Sequence, residues 1–305
     1  MPNLLPSGSG PHYNATVITH FGNELLIQTQ DGERLRAIPR QSLPALATGD
    51  RIHYEPGGDG GHAVIDEVAT RHGILTRQTK HQEKLIAVNI DKVLIVSAAK
   101  PALKTGLIDR YLVACELAGL AASVVFNKID LLDSAKRQVV KQTLAIYADI
   151  GYPVLYVSAK IGEGIAGLRA TLLASTSILV GHSAVGKSSL IKALLPSTNP
   201  RIGNVSQASN KGQHTTTHTE LYALDDGGMI IDSPGIREFG LKSIDAQQLA
   251  HGFREFIPFI EQCKFRDCTH TREPGCAVQQ AVTDGKISCA RAESYRAILD
   301  SFKSN

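Results

Sequence analysis

Long apolar runs are missing from this 305-residue chain; the longest, such as the Ile-Leu-Val before Gly181, are far too short to cross a bilayer. The opening "MPNLLPSGSGPHYN" lacks a basic stretch followed by an apolar one, so no secretory signal is expected, residues 1 to about 12 read as a flexible tail, and the expected compartment is the cytoplasm. A disulfide framework is also disfavoured: there are only five cysteines, and three of them crowd into Cys263 to Cys276. That clustering fits a metal site in a reducing compartment. Strong charge of either sign is absent as well. A net charge of +3 and a pI near 8.5 are compatible with RNA contact without requiring it.

The remaining composition, 43% hydrophobic and 20% charged, is that of an ordinary folded protein, and the length suggests two or three domains. From Tyr13 to about Thr70, five short apolar or alternating runs separated by Gly-containing turns predict a small β-barrel of the OB type. It is either an RNA-binding barrel or a β-module that packs on its neighbour. Aromatic stacking residues are scarce there, and Arg34, Arg36, Arg40 and Arg51 are few for a phosphate-tracking groove. The basic run Arg71 to Asn89, with Arg71, Arg77, Lys80 and Lys84, reads first as a boundary and second as a phosphate grip. Beyond it, strand-like "DKVLIVSAA", "ASVVFNKID" and "YPVLYVSAK" alternate with helical patterns such as "LIDRYLVACELAGL", which predicts an α/β unit with a parallel sheet. Cys115 belongs to the packed face of that helix.

Gly181-His182-Ser183-Ala184-Val185-Gly186-Lys187-Ser188, followed by Ser189, fits G-x-x-x-x-G-K-[ST] between an apolar strand and a helix that Pro196 ends. The glycines let backbone N–H groups turn in around a β-phosphate, Lys187 reaches β and γ oxygens, and the Ser188 hydroxyl can ligate Mg²⁺. Base choice comes from elsewhere. Asn127-Lys128-Ile129-Asp130 ends a strand, and its carboxylate can accept from guanine N1–H and the exocyclic amine, a pattern adenine does not offer. Lys128 can lie along the ring, and Asn127 can tie this loop to the phosphate loop. "VSAK" ends another strand, so that a backbone N–H at Ser158 or Ala159, beside Lys160, can meet guanine O6.

After the phosphate loop come "GQHTTTH", able to supply an Mg²⁺-binding threonine, and "IIDSPG", where Asp232 can hold the Mg²⁺ shell and Gly235 can sense the γ-phosphate. All five expected elements are present, but the two base-reading ones lie about fifty residues ahead of the phosphate loop, and no second Asn-Lys-x-Asp follows Gly235. The order implies circular permutation. Many small GTPases place a glutamine after D-x-x-G; here Ile236 stands there and cannot orient water, so slow turnover by the isolated chain is expected. His214 is the nearest candidate in sequence for that task, and Thr216, with Thr215 and Thr217 as alternatives, is the favoured Mg²⁺ ligand.

Cys263-x₄-Cys268-x-His270-x₅-Cys276 offers three thiolates and an imidazole, a closed tetrahedral set for structural Zn²⁺, bracketed by the helix-like "AQQLAHGFREFIPFIEQ" and "AVQQAVTDG". Cys289 is an alternative ligand. The order NKID, SAK, GHSAVGKSS, GQHTTT, DSPG, with a β-barrel before and the Cys/His cluster after, resembles the small-ribosomal-subunit-dependent GTPase A family, circularly permuted GTPases of the RsgA (YjeQ) type. The resemblance implies an OB barrel (residues 1–72), a permuted GTPase domain (73–242) and a helical zinc-binding domain (243–305). It also implies GTP/GDP, Mg²⁺ and one structural Zn²⁺ as cofactors and a catalytic role for His214. The implied activity is subunit-stimulated GTP hydrolysis late in small-subunit assembly. Expected partners are the small subunit, its 16S rRNA and other assembly factors, with no membrane and a monomeric chain. Two further readings remain: an RNA-binding module whose nucleotide only gates affinity, and a phosphoryl-transfer kinase for a small molecule.

Overall fold

The computed structural model describes residues 13–22, 24–58, 61–78, 83–195, 219–225, 227–233 and 244–303. Five strands open the chain: β1 (Ala15–Phe21), β2 (Glu24–Thr29), β3 (Arg34–Pro39), β4 (Arg51–Glu55) and β5 (Ala63–Val68). Their pairing order, β1-β2-β3-β5-β4 with β4 returning to β1, closes a barrel, and β3 runs parallel to β5. This is the expected OB-type ring. Its interior follows from period-two alternation: Leu25 and Ile27 of β2 point inward with Val17, Ile52 and Ile65.

The basic run is not a plain linker. β6 (Leu75–Gln78) and β7 (Glu83–Ala87) form a separate antiparallel hairpin. Arg71, proposed above as one arm of a phosphate grip, instead donates to both carboxylate oxygens of fully buried Asp50, at 2.7 and 2.8 Å, and to the Ala45 carbonyl. Its charge is taken up inside the protein. Arg36 and Arg40 pair with Glu24 and Glu55, and Arg34 faces Glu220 at 4.0 Å, so these barrel arginines are also partnered.

The second unit contains β8 (Lys92–Ala98), α1 (Thr105–Leu117), β9 (Ala121–Asn127), α2 (Ser134–Asp149), β10 (Val154–Tyr156), α3 (Ile165–Ala170), β11 (Thr176–Val180), α4 (Lys187–Leu194), β12 (Glu220–Ala223) and β13 (Met229–Asp232). The strand order is β10-β9-β8-β11-β13-β12, parallel throughout except for the β12–β13 pair. Helices cover both faces, which is why β8, β9 and β11 read as nearly unbroken apolar runs. One face packs Leu94, Val96 and Leu179 against Leu190 and Ile191 of α4; the other packs Val93, Ile95 and Phe126 beneath α1. Cys115 is fully buried on α1, as expected.

The C-terminal segment carries α5 (Ala246–His251), α6 (Ile257–Ile260), α7 (Ala277–Thr283) and α8 (Cys289–Lys303). The stretch expected as one helix is broken at Gly252, where a Cβ would meet Val113 Cγ1 of α1 at 2.5 Å. That close approach docks the segment on the second unit. Arg291 of α8, fully buried, completes the join by pairing with Asp109 of α1 at 2.5 Å and Glu255 at 2.6 Å, while the Tyr147 hydroxyl of α2 donates to Asp109. Among the described residues no helix is long and apolar enough to cross a membrane.

Candidate functional site

The sheet brings the motifs together by ending their strands on one side. β9, β10, β11 and β13 are mutually parallel or linked through parallel neighbours, and each is followed at its carboxyl end by one motif: Asn127–Asp130, Ser158–Lys160, Gly181–Ser189 and Asp232. In an open α/β sheet that edge is where ligands bind. The order along the chain no longer matters once β8 separates β9 from β11.

The phosphate loop turns between β11 and α4. Gly181 has φ +140, and a Cβ there would lie 2.2 Å from the Val96 carbonyl, so only glycine fits. Lys187 Nζ donates to the carbonyls of Gly181 and His182 at 2.8 and 3.0 Å, which folds the side chain over the loop and holds its ammonium above the N-terminus of α4. Ser188 and Ser189 lie in the first turn of that helix, where the dipole favours an anion.

Asn127 is 1% exposed and bridges three loops. Its Nδ2 donates to the Val185 carbonyl at 2.9 Å, and its Oδ1 accepts from the Ala159 N–H at 3.2 Å. Lys128, in the left-handed region at φ +63, donates to the Ala184 and Lys100 carbonyls at 2.6 and 2.8 Å. The Ser158 hydroxyl donates to Asp130 Oδ1 at 2.5 Å, which orients the carboxylate. The Ser158 N–H, one of two candidates for guanine O6, is already bound to the Glu163 carbonyl at 2.8 Å. The Ala159 N–H, the other candidate, is bound in turn to Asn127 Oδ1, so both donors have protein partners in this structure. Asn127, Lys128, Asp130, Ser158, Ala159, Lys160, Gly186 and Ser189 line one cleft of about 620 Å³, well within the size of a small-ligand pocket. Leu131 and Lys192, which the motifs did not flag, share its wall.

Asp232 ends β13 and is 9% exposed. Burial pushes its carboxyl above the ordinary value and Glu220 adds to this, while nearby Lys187 opposes the shift. A buried carboxylate beside a phosphate-loop lysine suits a divalent cation. Ser233 next to it shares a 3.0 Å hydroxyl contact with Thr219, whose carbonyl accepts from Thr48 of the barrel at 3.3 Å. No local motif announces that chain of contacts. His214, Thr215, Thr216, Thr217, Gly235 and Ile236 lie outside the described residues.

Cys263, Cys268, His270 and Cys276 converge, with all four ligand atoms within 4.8 Å of one another. His270 Nδ1 stands 3.5 Å from both Cys263 Sγ and Cys276 Sγ, which are 3.9 Å apart. A tetrahedral Zn²⁺ with its usual bond lengths requires edges of roughly 3.5 Å (N to S) and 3.8 Å (S to S), so the set is compatible with zinc. Burial raises the Cys268 thiol to about 12 and lowers His270, so both favour their neutral forms, and a bound cation would offset the desolvation of the thiolates. Glu273, held down to about 2 by its bonds to Thr269 and neighbouring N–H groups, stitches the intervening turn. Cys289 is exposed at the start of α8 and lies outside the cluster.

Known proteins share this fold. Residues 68–242 match the family described as RsgA GTPase. The small ribosomal subunit biogenesis GTPase RsgA of Haemophilus influenzae (strain 86-028NP) is 45% identical over 96% of this chain and 86% of its own. Its namesake from Histophilus somni (strain 129Pt) is 46% identical over 96% and 85%. The crystal structure of YjeQ from Thermotoga maritima superposes with a TM-score of 0.78 at 32% identity, covering 96% of this chain and 99% of that one. YloQ, a circularly permuted GTPase, shares the fold at a TM-score of 0.75 and 24% identity over 98% of both chains. GTP or GDP with Mg²⁺ is the cofactor set that such a family implies, and hydrolysis of GTP replaces both the kinase and the nucleotide-gated readings. The chain belongs to the RsgA family of circularly permuted GTPases.

Proposed function

We propose that this GTPase acts on the small ribosomal subunit in the cytoplasm, binding 16S rRNA in its GTP state during late maturation and leaving after hydrolysis. The observation that carries the nucleotide half is Asn127, whose two amide atoms join the phosphate loop to the loop that holds Ala159. The subunit half rests on relatives of about 45% identity that are named for small-subunit biogenesis.

In this reading Asp130 accepts from guanine N1–H and the exocyclic amine, a backbone N–H at Ser158 or Ala159 exchanges its present partner for O6, and Lys128 lies along the ring. Loop N–H groups from Gly181 to Ser189 and the Lys187 ammonium hold the phosphates. Ser188, Thr216 and Asp232 would hold Mg²⁺, which would supply charge neutralisation at the phosphates, and Gly235 senses the γ-phosphate. His214 orients the attacking water, because Ile236 has no group to do so. Cys263, Cys268, His270 and Cys276 hold one structural Zn²⁺, and residues 1–72, 73–242 and 243–305 divide the work as barrel, GTPase and zinc unit. Lys264, Arg266 and Arg272 of the zinc loop contribute phosphate contacts. The chain works as a monomer alongside other assembly factors.

Phosphate release from GTP and ATP, by protein alone and with isolated small or large subunits at fixed salt, tests this. Stimulation of GTP hydrolysis by the small subunit alone is expected. Equal rates with and without subunits would sink the assignment of partner.

A further inference from the structure

The two loops that read guanine are joined a second time, behind the pocket. Arg137, in the second turn of α2, sends Nη1 and Nη2 to Oε1 and Oε2 of Glu163 at 2.8 and 3.2 Å and Nε to the Leu132 carbonyl at 3.3 Å. All three guanidinium nitrogens are therefore engaged, in the parallel fork that makes arginine and carboxylate a geometrically specific pair. Leu132 lies two residues beyond Asp130. Glu163 belongs to the other loop, and its carbonyl accepts the Ser158 N–H at 2.8 Å.

Glu163 also sits in a turn with little freedom. Gly162 and Gly164 flank it at φ +78 and +75, and a Cβ on Gly164 would fall 2.3 Å from the Tyr156 carbonyl. This turn carries the Ser158 backbone at one end and the Arg137 clamp at its tip. We infer that Arg137 and Glu163 are positioning residues for guanine selection, fixing the Ser158–Ala159 backbone relative to the Asp130 carboxylate without touching the nucleotide. The inference rests on the guanine-reading roles of Asp130 and the Ser158–Ala159 backbone given above.

Both side chains are about one-third or more exposed, at 34% and 42%, so the clamp is partly screened by solvent and its effect is moderate. Arg137→Ala should weaken GDP binding about threefold to tenfold and narrow the preference for GDP over ADP. Turnover at saturating GTP should stay within about twofold, with the loss in KM. Glu163→Ala should do the same, the double variant should add little to either single one, and Arg137→Lys, with its single-point charge, should recover only part of the loss.

The experiment is a double-mutant cycle on GDP and ADP affinity with steady-state GTP kinetics alongside; Glu163→Gln provides a second entrance if Arg137→Ala does not fold. Unchanged GDP affinity, additive effects, or a fall in kcat at constant KM would overturn the clamp. Asp130→Asn is measured in parallel with xanthosine diphosphate, whose 2-oxo group suits an amide donor. A gain in xanthosine binding there with no effect at Arg137 removes the clamp alone, whereas no gain removes the guanine reading on which it rests.

Discussion

A Cβ atom at Gly186 would stand 2.4 Å from Nδ2 of Asn127, so the Gly181–Ser189 loop and the Asn127–Asp130 loop meet where one of them has no side chain. The two residues belong to motifs in permuted order, and their contact is what makes the order irrelevant. Gly186 also has φ +96, a conformation costly for any other residue.

Gly186→Ala is therefore expected to weaken GDP binding at least about tenfold, or about 1.4 kcal/mol. The methyl group must displace the Asn127 amide from the Val185 carbonyl, which disturbs both loops at once. Titration with a fluorescent GDP analogue checks this; an affinity within twofold of the parent protein would mean that the Asn127 bridge is dispensable.

Asp232 gives a pH-dependent prediction. Burial raises its carboxyl in the folded chain above the unfolded value, so between those two values the folded state holds more protons than the unfolded one. Stability conferred by that retained proton is present at low pH and is lost as pH rises through the window; at neutral pH the ionised, desolvated group opposes folding. Asp232→Asn should thus raise the melting temperature of nucleotide-free protein at pH 7, with the advantage shrinking near pH 4. The same variant should lose most of the further stabilisation that GTP and Mg²⁺ give the parent. A lower melting temperature at pH 7 without ligand would show that Asp232 makes a structural contribution outweighing its desolvation.

Arg291 is expected to hold the C-terminal helices to α1. Its side chain is 0% exposed between Asp109 and Glu255, which are 3% and 6% exposed, and it lies 4.5 Å over the Phe253 ring. Arg291→Met leaves two buried carboxylates without a counter-charge, and breaking such a pair costs about 3–5 kcal/mol. Making Asp109 and Glu255 apolar as well should return much of that loss. Denaturant unfolding of the single and triple variants measures both; a single variant within about 1 kcal/mol of the parent would contradict the join.

Legibility in the sequence follows from range. Asn127–Asp130, Gly181–Ser189 and the Cys/His cluster are short contiguous patterns whose geometry is set by local backbone, and the barrel strands carry their own alternation and turns. Arg291 and Asp109 are 182 positions apart, and neither residue advertises the other. The same holds for Thr48 with Thr219 and for Arg137 with Glu163. Arg71 was misleading in the opposite sense: within a basic run it resembles a phosphate contact, and only the folded chain places Asp50 against it. The β6–β7 hairpin was hidden because the charges of that run mask its weak alternation.

Under the proposed structural zinc, metal removal should separate the five cysteines by role. Three of them surround His270, and Cys276 also caps α7 by accepting the Gln279 N–H. Zinc binding by small finger peptides releases about 10–16 kcal/mol near neutral pH, so even a fraction of that exceeds the margin of a typical domain. A strong chelator should therefore lower the melting temperature sharply and release one metal equivalent per chain. Cys276→Ser should reproduce the loss, through both the ligand and the cap. Cys289→Ser should leave metal content and melting temperature unchanged, because Cys289 is exposed and outside the cluster. If chelation leaves the melting temperature unaltered, the four side chains converge without metal, and the tight turn stitched by Glu273 must be sufficient to hold them.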